Sequence, residues 1–191
     1  MEQKVTSILF RASYAHVFEP AKTPSGDMKY SISLLLPKDD KAGLALVKKL
    51  VEEAVAKGLA INKFPASAVP RLKKPPRDGD AEFETGQRDA SYKGFWFLNA
   101  SNKNQPGIVD ENVQPIIDPM EFYSGCWCRA DINFFPYNTA GNMGVGVGLN
   151  NLQKVKDDER LDGRQKAEDA FDAVGDDSTA EEQMTTNPDG V

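Results

Sequence analysis

Cysteine and histidine are scarce in this sequence of 191 residues, which has two cysteines and one histidine. Cys126 and Cys128 are one residue apart in a strand-like run, so their side chains share a face without pointing at each other, and we expect no disulfide between them. His16 lies far upstream, at a spacing that matches no zinc site. We therefore predict reduced thiols, no metal site and no cofactor.

The sequence also lacks a run of about 18 apolar residues, which is the length that a membrane-spanning helix needs. Its first residues, MEQKVTSILF, have neither the long apolar stretch nor the small-residue cleavage site of a secretory signal. We therefore expect a cytoplasmic protein with no membrane contact.

Charge is unevenly distributed along the chain, whose formal net charge is −6. Residues 157–191 hold twelve acidic and three basic side chains, a balance of −9. Residues 1–156 hold seventeen acidic and twenty basic ones, a balance of +3. The negative total therefore does not exclude a nucleic-acid partner, because the larger part of the chain is mildly basic.

The same two parts differ in hydrophobic content. Residues 157–191 have few large apolar side chains and no sustained periodicity, so they bury too little surface to offset the entropy of ordering. We predict one domain over residues 1–156 and an acidic, largely disordered tail over residues 157–191.

Five segments of the larger part have the β-branched, aromatic and alternating content of strands. They are residues 5–13, 29–37, 92–101, 125–138 and 143–155. Residues 59–91 are rich in proline and include RLKKPPRDGD, which predicts a long loop with no regular structure of its own.

Between the second and third strands, residues 39–58 change to a helical period. One face of this amphipathic helix carries Leu44, Val47, Val51, Ala54 and Val55. Asp39 or Asp40 is the expected N-cap, and Gly58 is expected beyond the end. A mainly β chain with five strands, one inserted helix and a long proline-rich loop fits a small OB-like Greek-key barrel.

Alternation divides residues 126–137 between two faces of one strand. The apolar face, expected in the core, holds Cys126, Cys128, Ala130, Ile132 and Phe134. The other face holds Trp127, Arg129, Asp131, Asn133, Phe135 and Tyr137. Rings that stack on unpaired bases, interleaved with a cation, are typical of a surface that binds single-stranded nucleic acid. Burial of Trp127 and Phe135 against the helix or a loop is the alternative.

The segment YKGFWFLNASNK offers a second group of aromatic candidates. Phe95 and Phe97 share one face while Trp96 and Leu98 share the other, and alternation leaves open which pair faces outward. Three adjacent rings favour an aromatic outer face, because all three cannot be internal on one regular strand. The candidates in this segment are Tyr92, Lys93, Phe95, Trp96, Phe97 and Lys103.

Two further candidates are basic or polar. The run Arg71, Lys73, Lys74 and Arg77 lies among prolines, and we predict that it forms a phosphate-contacting loop beside the groove. Lys29, Ser31 and Ser33 alternate with apolar residues and mark a polar strand face that would continue the groove. An ordinary solvated loop or face is the alternative in each case.

Several segments, in matching order, resemble the single-stranded-DNA-binding proteins of tailed bacteriophages, formerly a family of unknown function. They are YAHVFEP, YSISLLLPKDD, PPRDGD, YKGFWFLNAS, PGIVD, DPMEFYSGCWCRADINFFPYN and GVGLNN. The resemblance extends over most of the chain, up to residue 171. It implies an OB-fold, sequence-independent binding of single-stranded DNA, and a role in phage replication or recombination in the host cytoplasm.

Replicative single-strand binders often end in an acidic tail with an aromatic or apolar residue at its tip. This tail recruits partner proteins and competes with DNA for the basic groove. Here the acidic context AEDAFD around Phe171 fits, but the chain continues to Val191, which departs from that pattern. The resemblance therefore suggests a tail that competes with DNA, with recruitment of phage replication or recombination proteins as a second role. The oligomeric state is left open.

Two other functions compete with this interpretation. A Mg²⁺-dependent nuclease would use carboxylates as metal ligands. Its candidates are Asp78, Asp80, Asp110, Asp118 and Asp131. A structural or adaptor protein of the phage particle would need the barrel and the tail but no aromatic, basic groove.

Overall fold

The computed structural model describes residues 5–163, in which seven strands and two α-helices alternate with three short 3-10 turns. The strands are β1 (Phe10–Lys22), β2 (Met28–Pro37), β3 (Arg77–Asp78), β4 (Phe95–Asn102), β5 (Gly107–Val109), β6 (Trp127–Thr139) and β7 (Asn142–Lys156). The helices are α1 (Lys41–Ala60) and α2 (Gly79–Glu84), and the 3-10 turns are Val5–Ser7, Ala66–Arg71 and Ala90–Tyr92.

Five of the strands close a barrel in the order β1-β2-β4-β7-β6-β1. All neighbours are antiparallel except β4 and β7, which pair in parallel. The prediction of a five-stranded OB-type barrel is confirmed. The strand count rises to seven because β3 adds to the edge of β4 and β5 adds to the edge of β7.

The barrel interior follows the predicted alternation of β6. Cys128, Ala130 and Ile132 are buried, whereas Arg129 and Phe135 on the opposite face are exposed. Cys126 and Cys128 are both free and buried, as expected for reduced thiols in a core strand. Burial raises the pKa of the Cys126 thiol to about 11, so the thiolate is disfavoured at neutral pH.

Helix α1 begins at the predicted cap, since the Asp40 carboxylate accepts a hydrogen bond from the Gly43 amide at 2.8 Å. Val47, Val51 and Ala54 on its inner face are buried against the barrel. The prediction that Gly58 lies beyond the helix is wrong, because α1 continues to Ala60. A Cβ at position 58 would meet the Phe64 ring at 2.4 Å, so this glycine allows close packing inside the helix.

The proline-rich connection 59–91 is more ordered than predicted, since it contains two 3-10 turns, β3 and α2. It packs on the outside of the barrel, where Tyr92 covers Leu35 and Phe97 in a second, smaller core. The Tyr92 and Phe97 rings meet edge to face with centroids 4.9 Å apart. Period-two analysis of β4 alone does not reveal this cover, because it comes from a distant segment.

Residues 157–161, which follow β7, contact the barrel. The Tyr123 hydroxyl donates a hydrogen bond to the Asp157 carboxylate at 2.7 Å, and the Arg11 guanidinium donates one to the Glu159 carbonyl at 2.9 Å. Burial and the neighbouring Asp157 carboxylate raise the pKa of Tyr123 to about 12. The ordered contacts therefore extend several residues past the boundary predicted at 156, and the predicted disorder of residues 164–191 lies outside the described residues.

Candidate nucleic-acid interface

The barrel has a fork on one side, where β4 and β7 separate. These strands pair only at Ala100 with Val147 and at Ser101 with Gly148. Beyond that point the segment 73–78 fills the gap: the Lys73 amide donates to the Met143 carbonyl, and β3 pairs with β4. The predicted basic loop is thereby fixed between two barrel strands.

A groove of about 550 Å³ lies at this fork. Basic and proline residues form its rim, Tyr137 forms a wall, and strands β4 and β7 form its floor. The lining residues are Lys73, Lys74, Pro75, Arg77, Phe97, Asn99, Tyr137, Val145, Gly146 and Val147. The structure thus brings together Lys73, Lys74, Arg77 and Tyr137, which the sequence placed in two separate candidate groups.

Glycines on β7 shape the floor of this groove and its continuation. Gly144, Gly146 and Gly148 are the direct partners of Tyr137, Phe135 and Asn133 on β6. A Cβ at position 146 would come within 2.5 Å of the Phe135 ring, and one at position 148 within 2.4 Å of Asn133. The β6 side chains therefore lie across bare backbone, and Phe135 stays 42% exposed. Sequence analysis missed this role, because glycines in a strand indicate only weak packing or close approach.

The cations at the rim differ in their partners. Lys73 and Lys74 are exposed, and no acidic side chain of residues 5–163 forms an ion pair with either. Arg77 instead lies 2.6 Å from a Glu82 oxygen, with its guanidinium 5.0 Å from the centroid of the Phe97 ring. The two lysines are therefore the cations most available to an anionic ligand.

Polar residues of β2 and β4 continue the surface beside the groove. Ser31 lies opposite Ser101, and Ser33 lies opposite Asn99. Lys29 precedes them on the same face of β2, and the exposed Lys103 comes directly after β4. The polar strand face expected from the sequence therefore borders the fork, although Ser33 itself is only 3% exposed.

The prediction that the Tyr92 and Phe97 rings are exposed for base stacking is wrong. Tyr92 and Phe97 both have 0% exposure, since the 79–92 segment seals them against the barrel. Trp96 is half-buried against the main core, with the Lys38 ammonium 4.7 Å from its ring centroid. Tyr92 and Trp96 therefore support the fold outside the groove, and Phe97, although it is among the lining residues, has no exposed surface.

Trp127 and Phe95 lie together, outside the lining of the groove. Their ring centroids are 6.4 Å apart, and the Trp127 indole N–H donates to Asp158 at 2.7 Å. That hydrogen bond lowers the pKa of the Asp158 carboxyl. Three more candidates, Arg71, Lys93 and Arg129, are exposed but do not line the groove either.

A larger groove of about 1020 Å³ runs along β1. Its lining includes the acidic residues Glu19, Asp89 and Asp162, but only one arginine, Arg160, which Asp162 binds at 2.8 Å. Phosphates are repelled by such a surface. The smaller groove at the fork is therefore the better candidate for an anionic polymer.

The carboxylates of the nuclease hypothesis each have a protein partner, and only Asp78 and Asp80 share one. Asp78 and Asp80 both bind the Lys38 ammonium, at 2.6 and 2.7 Å, and Asp131 accepts from Asn151 at 2.8 Å. Asp110 and Asp118 accept from backbone amides of their own turns. Across residues 5–163, no group of three or more His, Cys, Asp or Glu side chains is placed to hold a metal ion.

No helix in the same range is long and apolar enough to cross a membrane.

A closed five-stranded OB barrel, with a groove bordered by unpaired lysines, the half-buried Tyr137 ring and the exposed Phe135 ring, defines a protein of the oligonucleotide-binding class. Residues 3–184 match the family described as Enterobacter phage Enc34, ssDNA-binding protein, and the chain belongs to that family. It is 29% identical over 160 residues to protein p50 of Acyrthosiphon pisum secondary endosymbiont phage 1. The aligned region covers 80% of this chain and 83% of p50.

Two solved structures are similar to the barrel. The single-stranded DNA-binding protein of bacteriophage Enc34 in complex with ssDNA has 25% identity and a TM-score of 0.63, covering 81% of this chain and 86% of that one. The gp2.5 single-stranded DNA-binding protein of bacteriophage T7 has 17% identity and a TM-score of 0.55, covering 83% and 94%. The second likeness bears on the fold alone.

Proposed function

We propose that this protein binds single-stranded DNA without a sequence requirement, and that the strand lies along the groove at the fork of β4 and β7. The observation that carries the proposal is the juxtaposition of Lys73 and Lys74 with the Tyr137 and Phe135 rings beside one open groove. Membership of the Enc34 family, and the bound ssDNA in the Enc34 structure, support the ligand class.

The chemistry of the groove suits an unpaired strand in two ways. Each base that stacks on an exposed ring contributes about 1–3 kcal/mol, whatever its identity, because every base has a π face. Lysines at the rim neutralise phosphates and release counterions, which adds a salt-dependent contribution. Stacking and phosphate contacts together explain binding that does not depend on sequence.

We further propose that the protein acts without catalysis, in the replication or recombination of phage DNA in the host cytoplasm. A two-metal nuclease needs carboxylates that converge on the metal ions. Here Asp78 binds the Lys38 ammonium, Asp110 accepts a hydrogen bond from a backbone amide of its own turn, and Asp131 accepts from the Asn151 side chain. These separate partners argue against such a nuclease. A structural role in the particle gives no reason for unpaired lysines beside an exposed Phe135 ring.

The test is a titration of labelled oligo-dT and of a duplex of equal length, followed by fluorescence anisotropy with and without Mg²⁺. We expect tight binding of oligo-dT, much weaker binding of the duplex, and an intact oligonucleotide after incubation. Cleavage of the oligonucleotide in Mg²⁺ would support the nuclease instead, and equal, weak binding of both ligands would support a structural protein.

A further inference from the structure

The groove along β1 presents large apolar side chains to solvent. Residues 13–19 of β1 and several residues of the segment 117–124 line it. Tyr14, Ile117 and Met120 in this lining are 51%, 83% and 60% exposed. Apolar residues that are exposed singly are ordinary on a protein surface, but a cluster of them in a groove is typical of a surface that another segment covers.

The groove is preformed on both sides. Tyr14 adopts a positive φ of 44°, which is uncommon for a residue other than glycine. Its hydroxyl donates a hydrogen bond to Asp89 at 3.1 Å, which holds the ring at the groove. On the other side, the Asp118 carboxylate accepts from the Met120 amide at 2.8 Å and fixes the turn there. A segment that binds here therefore meets a surface that is already in place.

The described chain ends at this groove. The Leu161 amide donates to the Ser124 carbonyl at 2.9 Å. Three of the lining residues are Arg160, Leu161 and Asp162. Phe171 is the one aromatic residue after Gly163 and follows it by eight positions, a stretch that extends over at most about 27 Å. The β1 residues along the groove span about 20 Å, so Phe171 can reach any part of it.

Charge favours the residues directly after Gly163 as the occupant. Glu19 and Asp89 line the groove and form no ion pair with a cation of residues 5–163. Residues 164–174, RQKAEDAFDAV, hold two basic and three acidic side chains, whereas residues 175–191 hold five acidic and no basic ones. Of these two segments, only the first offers cations and an aromatic ring to an acidic, apolar groove.

We propose that residues 164–174 of the same chain bind in the groove along β1. Phe171 packs against Ile117 and Met120, and the two cations of the segment face the acidic side chains of the groove. The two grooves share no lining residue, so this attachment leaves the groove at the fork open to DNA. It also fixes the point from which the acidic residues 175–191 extend. The inference goes beyond the proposed function and does not depend on it.

The test is disulfide cross-linking in the full chain, with oxidised glutathione as the oxidant. Met120→Cys/Ala170→Cys places one thiol on the groove wall and one next to Phe171. The native thiols do not interfere, because both are buried. Non-reducing electrophoresis separates products linked within a chain from linked dimers. The melting temperature is not the readout, because so short a segment opens at temperatures below those that unfold the barrel.

Two further variants keep Ala170→Cys and move the other thiol. Lys48→Cys/Ala170→Cys places it on the exposed face of α1 and measures the rate of random encounter. Lys74→Cys/Ala170→Cys places it at the rim of the groove at the fork. The comparison therefore distinguishes binding along β1 from binding at the fork.

We expect Met120→Cys/Ala170→Cys to cross-link within one chain about tenfold faster than the Lys48 control, because binding raises the effective concentration of the two thiols. Adding Phe171→Ala should slow the reaction by about tenfold, since the ring loses its buried contacts. A rate no higher than in the Lys48 control, or unchanged by Phe171→Ala, overturns the proposal. Faster cross-linking in the Lys74 variant also overturns it, by placing the segment at the fork. A linked dimer as the main product overturns it by assigning the groove to a second copy.

Discussion

The ring of Phe135 occupies the space that a side chain at Gly146 would fill. The two residues are direct partners across β6 and β7, and a Cβ on Gly146 would lie 2.5 Å from a ring carbon. The missing side chain lets the ring lie across the sheet while Phe135 remains 42% exposed beside the groove. The position of this ring therefore depends on a residue that has no side chain of its own.

Gly146→Val is expected to displace the Phe135 ring and to weaken oligo-dT binding by about tenfold, since one base–aromatic stack contributes roughly 1–3 kcal/mol. Anisotropy titration measures the loss, and circular dichroism verifies the fold. If the ring is the cause, the double variant Phe135→Leu/Gly146→Val binds no more weakly than Phe135→Leu alone. Additive losses would contradict the coupling.

Lys73→Gln/Lys74→Gln is expected to reduce both the affinity for oligo-dT and its dependence on salt. Each phosphate contact contributes about 0.7 to the slope of log affinity against log salt, so the slope should become shallower by about 1.4. The control is Lys48→Gln/Lys57→Gln, which removes the same charge from the exposed face of α1. An equal change in both variants would mean that net charge, and not this loop, governs binding.

Trp127→Phe is expected to leave oligo-dT affinity unchanged, because the indole lies against Phe95 and donates to Asp158 outside the groove. Loss of that hydrogen bond should lower the free energy of unfolding by about 0.5–1.5 kcal/mol, measured in urea. Tyr137→Leu, in the groove wall, should show the opposite pattern of weaker binding and little change in stability. Strong quenching of Trp127 fluorescence by oligo-dT would disprove this placement.

Lys38→Met is expected to destabilise the fold at neutral pH, because Asp78 and Asp80 lose their shared cation. The Lys38 ammonium lowers the pKa of both carboxyls below their ordinary value of 3.8. A carboxyl whose pKa is lower in the folded than in the unfolded protein stabilises the fold at pH values above its unfolded pKa. This contribution is lost as the pH falls through the folded pKa.

The difference in melting temperature between wild type and Lys38→Met should therefore narrow as the pH falls below about 4. Thermal unfolding across this pH range measures it. Lys48→Met, which removes an exposed lysine of α1, serves as the control and should show no such narrowing. A difference that stays constant into strong acid would mean that Lys38 stabilises the fold by packing on Trp96 instead.

Truncation after Gly163 removes eight acidic and two basic side chains and keeps the contacts of residues 157–162. We expect it to tighten oligo-dT binding at low salt, because a negatively charged segment that competes with DNA is lost, without a change in melting temperature. Truncation after Val155 also removes Asp157 and Asp158, the partners of Tyr123 and Trp127, and should lower the melting temperature. Unchanged affinity for oligo-dT after truncation at Gly163 would count against competition by the tail.

The barrel and its helix could be predicted because their signals are local. Alternation along β6 assigns Cys128 and Ile132 to the core, and the helical period of α1 assigns Val47 and Val51 to its inner face. The sequence predicts the wrong end for α1 because a glycine such as Gly58 is typical of the position just after a helix. Its role at position 58 comes from Phe64, which packs there from outside the helix.

The groove could be predicted only in part, because it depends on contacts between distant segments. Lys73 and Tyr137 were both candidates, but their proximity results from the bridge between the proline-rich segment and β7. The burial of Tyr92 and Phe97 has the same origin, since each has 0% exposure only after the 79–92 segment folds back. Residue type indicated the chemistry of the site, whereas tertiary packing decided which rings are accessible.

Of the strands in residues 5–163, β7, which forms the groove floor together with β4, is the last to be synthesised. Until β7 (Asn142–Lys156) leaves the ribosome, β4 lacks its parallel neighbour and β6 lacks its longest partner. A nascent chain that ends before Asn142 already carries the lysine loop and the β6 rings, but it has no surface to hold them side by side. We therefore expect affinity for DNA to appear late in translation, in a single step once β7 has joined the barrel.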